Sequence, residues 1–153
     1  MSIVLASPAF SEGGAIPKRH AGDGDNLSPA LSWSGFSPLT KSFTILVEDP
    51  DAPSGMFVHW ILFNIPPGVN RLTEGIPEKP DLPGIGLHGM NDARKTGYLG
   101  PYPPPGNPHR YFFRIFALDR ILDLSSGCTY AQVQKAMGNH ILDTGSLMGT
   151  YRR

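Results

Sequence analysis

Ten residues, "MFVHWILFNI" (Met56–Ile65), constrain this chain most, because they are apolar on both faces of an extended strand. By two-residue alternation, Phe57, His59, Ile61 and Phe63 face one way, and Val58, Trp60 and Leu62 the other. A strand that tolerates water on neither side is central in a sheet or covered by other elements. The run is too short to span a bilayer and carries a histidine, so stable membrane insertion is not expected. "SFTILVED" (Ser42–Asp49) is a second strand, with Phe43, Ile45, Val47 and Asp49 on one face. "RYFFRIFALD" (Arg110–Asp119) is a third, and Ile3–Leu5 reads as a short first strand rather than a signal peptide.

Between these runs the chain is punctuated by 18 glycines and 16 prolines. They separate apolar runs instead of replacing them, which predicts many strands joined by ordered loops in one domain, residues 1–153. "DGDNLSPALSWSG" (Asp23–Gly35) reads as a loop packed through Leu27, Leu31 and Trp33. Pro66 to Pro108 reads as a long loop, and loops of that length are commonly functional. Near the end the period changes. Thr129 and Gln132 form a capping-box pair ahead of Tyr130, Val133, Ala136, Met137 and Ile141, predicting a helix from Tyr130 to about Leu142. The residues thus read as antiparallel β with a late helix packed on it.

Charge excludes some function classes. With 13 basic and 13 acidic residues, no general attraction to nucleic acid or anionic lipid is indicated. Cys128 is the sole cysteine, so no intrachain disulfide forms, which fits a reducing, cytoplasmic setting. Its place before the helix start does not make it reactive without a neighbouring base.

Three segments put polar groups where a core should continue. Asp49 and Asp51 flank Pro50 at a strand end, His59 interrupts an apolar strand, and His109 and Tyr111 share a face. Ahead of His109 lie five prolines and two glycines within nine residues, Gly100 to Pro108. Proline fixes φ, and glycine admits close backbone approach, so this reads as a preorganised pocket wall. Two imidazoles, a phenol and inward backbone amides suit a small anion, with the aspartates orienting the rings; binding an ammonium group is the alternative. Each residue also has a plainer role: a satisfied core histidine for His59, cross-strand packing for His109 and Tyr111, and turn closure for an aspartate, more readily Asp51. No His or Asp pair has metal-ligand spacing, so neither a metal nor another cofactor is expected. His88 reads as a loop residue, and His20 and His140 as surface or helix histidines.

"DPDAPSGMFVHW" and "GYLGPYPPPGNPHRYFFRIFALD" resemble the two signatures of the phosphatidylethanolamine-binding protein family, also called Raf-kinase-inhibitor-like. "NLSPALSW" and "HILDTGSLMGTYRR" resemble its bacterial and archaeal branch. The resemblance implies two antiparallel sheets, one large and one small, with the late helix at an edge. It implies a surface pocket for phosphate-like anions, formed by Asp49, Asp51, His59, Gly100, Pro101, His109 and Tyr111, with Pro103 as a further candidate for its wall. It implies a binding protein rather than an enzyme, with a kinase or protease as a regulated partner, and a homodimer, although no stripe in the sequence marks an interface. A small enzyme using a His/Asp pair for acid–base chemistry on a phosphorylated or acidic substrate is the alternative. Tyr102 stands where many bacterial members carry cysteine, and Ala93 where an aromatic residue is usual. The chain ends at Arg153 without the longer C-terminal helix of animal members, so phosphatidylethanolamine binding and Raf regulation are not expected of it.

Overall fold

Both faces of Ser42–Asp49 (β3) and Phe57–Ile65 (β4) are covered, as their composition requires. The computed structural model, which describes residues 2–153, places them at the centre of a six-stranded sheet. With Val4–Ala6 (β1), Leu31–Ser34 (β2), Arg71–Leu72 (β5), Asp81–Leu82 (β6), Gly86–His88 (β7), His109–Leu118 (β8) and Ile141–Tyr151 (β9), the order is β6-β7-β4-β3-β8-β9. A smaller sheet runs β1-β2-β5, and all pairings between these strands are antiparallel. Phe43, Ile45, Val47, Trp60, Leu62, Phe113 and Ile115 pack with Leu5 and Trp33 of the small sheet, forming the inner core. On the outer face Leu46, Val58, Ile61 and Phe63 pack under Val133 and Met137 of the helix Tyr130–Met137 (α1).

Strict alternation along β4 does not hold, because two bulges interrupt it. Val47 pairs with Trp60 but Glu48 pairs with Val58, so His59 is an extra residue. The bulge puts His59 and Trp60 on the same, inner side. His59 contacts Tyr111 there, and Trp60 lies in the inner core. Beyond it Ile61 and Phe63 face the helix layer, not the face of His59. A second slip, between Ile45–Leu62 and Phe43–Ile65, falls at Asn64, whose φ is 54°. Asn64 holds that conformation by pairing its amide with both backbone groups of Leu122.

Other expectations change in extent. Asp23–Gly35 is not all loop, since Leu31–Ser34 forms β2 with Leu31 and Trp33 buried and both serines exposed. The stretch from Pro66 to Pro108 contains β5, β6 and β7. They are two or three residues long, too short for a period to show. The capping box at Thr129 and Gln132 is present. The helix ends at Met137 rather than Leu142, because Ile141 already pairs with Leu118 of β8.

His20 lies in a short 3-10 helix, Lys18–His20, but is buried rather than at the surface, and His88 is not a loop residue but the buried end of β7. His88 donates from Nδ1 to Lys79 O at 2.7 Å and accepts at Nε2 from Trp60 Nε1–H at 2.9 Å. Only the neutral ring can do both. Burial lowers its pKa, so the unfolded chain takes the proton more readily and stability falls as pH drops below about 6.5. Replacing His88 with Gln should cost about 1–3 kcal/mol by urea unfolding at pH 8. The variant should then lose less stability than wild type on going to pH 5. Equal acid losses would show that His88 is not among the groups that titrate on unfolding.

Candidate functional site

At one end of β3 and β8 the inner core opens into a cavity of about 550 Å³. The β3–β8 register runs to Glu48–Phe112, which brings the next residue, Asp49, beside Tyr111. Alternation puts His109, Tyr111 and Phe113 on the inner face of β8, and the bulge in β4 supplies His59 from the other side.

Asp49 is almost fully buried and organises the cavity. Its Oδ1 accepts from the Asp51 N–H at 2.7 Å, closing the Asp-Pro-Asp turn. Its Oδ2 accepts from His109 Nδ1 at 2.7 Å, and the Tyr111 side chain lies beside this carboxylate. The turn-closing carboxylate is thus Asp49, not Asp51. His59 donates from Nδ1 to Leu99 O at 2.7 Å, with the Phe57 and Tyr111 rings against it at 4.8 and 5.2 Å. Burial is the main cause that lowers the His59 pKa. Burial and the Asp49 charge raise that of Tyr111. Nε2 of both pocket histidines has no partner among the described residues and is not sealed from solvent, so it is left to the cavity.

Gly100 is glycine for a steric reason. A Cβ there would sit 2.2 Å from His20 O and 2.6 Å from Asn26 Oδ1. Its amide does not point into the cavity as an anion donor, because it is held by Asn26 Oδ1 at 2.7 Å. Of the seven expected residues, Asp49, His59, Gly100, His109 and Tyr111 line the cavity. Asp51 and Pro101 do not. Asp51 is turned onto Arg110, which donates to it from the backbone N, Nε and Nη2 and holds its pKa down at about 2. Pro101 is buried, with its carbonyl accepting from Gly22 N–H. Pro103 does line the cavity.

Gly22, Asn26, Phe57 and Leu99 also line it and were not anticipated. Asn26 has φ 56°, and the Asp-Gly-Asp-Asn run before Leu27 is the turn chemistry that could have pointed to it. Tyr102 forms part of the mouth. Arg153 stacks over its ring at 3.9 Å, donates to its hydroxyl and to Pro103 O, and pairs with Asp23. Ala93, the other departure, is not part of the lining. No three His, Cys, Asp or Glu among the described residues are grouped to hold a metal ion.

A family model described as phosphatidylethanolamine-binding protein matches residues 6–152. The chain belongs to the phosphatidylethanolamine-binding protein family. A UPF0098 protein of Methanothermobacter thermautotrophicus is 46% identical over 149 residues, covering 97% of this chain and 98% of the relative. A second UPF0098 protein, from Pyrococcus horikoshii, is 41% identical over 156 residues, covering 100% of this chain and 78% of the relative. Two solved structures of the family share the fold. A phosphatidylethanolamine-binding protein homologue from Chlamydia trachomatis superposes with TM-score 0.90 at 40% identity, covering 99% and 98% of the two chains. E. coli YbcL superposes with TM-score 0.91 at 31% identity, covering 100% and 99%. The two antiparallel sheets and single helix expected of the family are therefore present. No helix among the described residues is long and apolar enough to cross a membrane.

Proposed function

We propose that this family member is a binding protein that takes a small anion, phosphate or a phosphorylated ligand, in the cavity between β3, β4 and β8. The observation that carries this reading is the pair of imidazoles, His59 and His109, lining one cavity with Nε2 of each left unpartnered. Asn26, whose Oδ1 is occupied by Gly100 N–H, has its NH₂ group to offer as a further donor. In this reading occupancy of the cavity regulates a kinase or protease partner, and the protein acts in the cytoplasm as a homodimer.

Histidine-resolved NMR tests the ligand class. On addition of phosphate, phosphoethanolamine or acetate near pH 6.5, the His59 and His109 resonances should move together and saturate, while those of His140 stay put. No response up to millimolar ligand from a folded protein would remove the anion reading.

The hydrogen bond between His109 and Asp49 supports a second reading, a small enzyme using this dyad for general acid–base chemistry on a phosphorylated or acidic substrate. It requires turnover that His109→Ala abolishes with the fold intact.

A further inference from the structure

The anion reading leaves an electrostatic difficulty, and its resolution identifies how the site is controlled. In both pocket histidines Nδ1 faces a group with no proton to give: Leu99 O for His59, the Asp49 carboxylate for His109. In the neutral rings the proton therefore sits on Nδ1, and Nε2 turns a lone pair to the cavity. The Tyr111 side chain lies beside the Asp49 charge, and the Gly100 amide is engaged with Asn26. No Arg or Lys forms an ion pair with Asp49 among the described residues, whereas Asp51 is paired with Arg110, whose charge reaches Asp49 only at longer range. With neutral rings the cavity thus holds the Asp49 charge and two acceptors against one uncharged donor, the Asn26 NH₂ group, a balance that disfavours an anion.

We infer that the pocket takes its anion together with one proton, which binds Nε2 of His109 and turns that atom from acceptor to donor. This rests on the anion-binding reading and states its regulation. The proton comes from solvent, one N–H bond forms, and nothing is transferred covalently to the ligand. The His109–Asp49 pair goes from −1 to neutral, and the new N–H points at the anion. Geometry selects His109 over His59. A carboxylate backs Nδ1 of His109, while only a neutral carbonyl backs Nδ1 of His59 and burial opposes its charging. The other titratable and charged groups facing the two rings are Asp51 in the turn after β3, Asp92 in the loop beside β4, Arg110 and Tyr111 on β8, and Tyr151 on β9. None of them supplies a free cation to the cavity, since Arg110 is held by Asp51.

Sodium sulfate is the probe, because it stays a dianion throughout the range tested. Its Kd is read from histidine NMR shifts at constant ionic strength between pH 6 and 8.5. Kd should rise with pH over this range, by up to about tenfold per pH unit for uptake of a single proton. In His109→Gln the dependence should flatten. Saturable sulfate binding with a pH-independent Kd would overturn the proton inference and leave the anion reading standing. No saturable shift at any pH would remove the anion reading itself, and this inference with it. The same dependence retained in His109→Gln would overturn the assignment to His109.

Discussion

Gly100→Ala should destabilise the protein by about 1–3 kcal/mol and weaken sulfate binding at least tenfold. The new methyl would meet His20 O at 2.2 Å, Asn26 Oδ1 at 2.6 Å and the Ala21 Cα at 2.9 Å. Two of these are backbone atoms, so no side-chain rotation relieves the overlap. The His20–Ala21 backbone is itself held by Tyr98 Oη–H donating to His20 O at 2.8 Å, and Tyr98 packs edge-on against Trp60. Relief must therefore come from the loop carrying Gly100, Tyr102, Pro103 and Pro104, which is the cavity wall. Losing the 2.7 Å bond from Gly100 N–H would also release Asn26 from its place in the lining. Gly68→Ala is the control. A Cβ there meets nothing within 4 Å, and the change should stay within about 0.5 kcal/mol. If urea midpoints and sulfate affinity matched for the two variants, the contact at Gly100 would be shown to relax without consequence.

Asp49→Asn should strengthen sulfate binding at pH 8.5, by tenfold or more, although it removes a buried residue of the site. The Asp51 N–H needs an acceptor at 2.7 Å, which keeps the asparagine oxygen on that side. The amide NH₂ then faces His109 Nδ1 and donates to it. His109 must accept there, so its proton moves to Nε2 and into the cavity. The site also loses the negative charge of Asp49. Both changes achieve without a bound proton what the native site needs a proton to do, so Kd should vary little from pH 6.5 to 8.5. Weaker binding than wild type with an unchanged pH slope would mean that Asp49 does not set the His109 tautomer.

Much of the site was legible because strand geometry is periodic and local. His109 and Tyr111 lie two apart, so any β-strand there puts them on one face. The proline-rich run before them could only be a stiff connection. His59 was found as an anomaly of polarity, but its direction was misread in part, since the bulge between Val47–Trp60 and Glu48–Val58 is a property of pairing, not of one strand. Asp51 was legible as a carboxylate near the site. Its turn toward Arg110 depends on β8 lying beside β3. The burial of His20 and His88 was not legible because a buried histidine is recognised by its partners, and Leu27 O, Lys79 O and Trp60 Nε1–H come from elsewhere in the chain.

By itself, then, the sequence determined the long strands β3, β4 and β8, the capped start of the helix and the stiff wall ahead of His109, each set by residues within one or two turns or strand repeats of one another. The tertiary structure alone decided the bulge that turns His59 inward, the partners that place the Nδ1 protons, and which carboxylate faces the cavity. Those depend on register between strands distant in sequence, and a shift of one residue in pairing reverses which face a side chain presents.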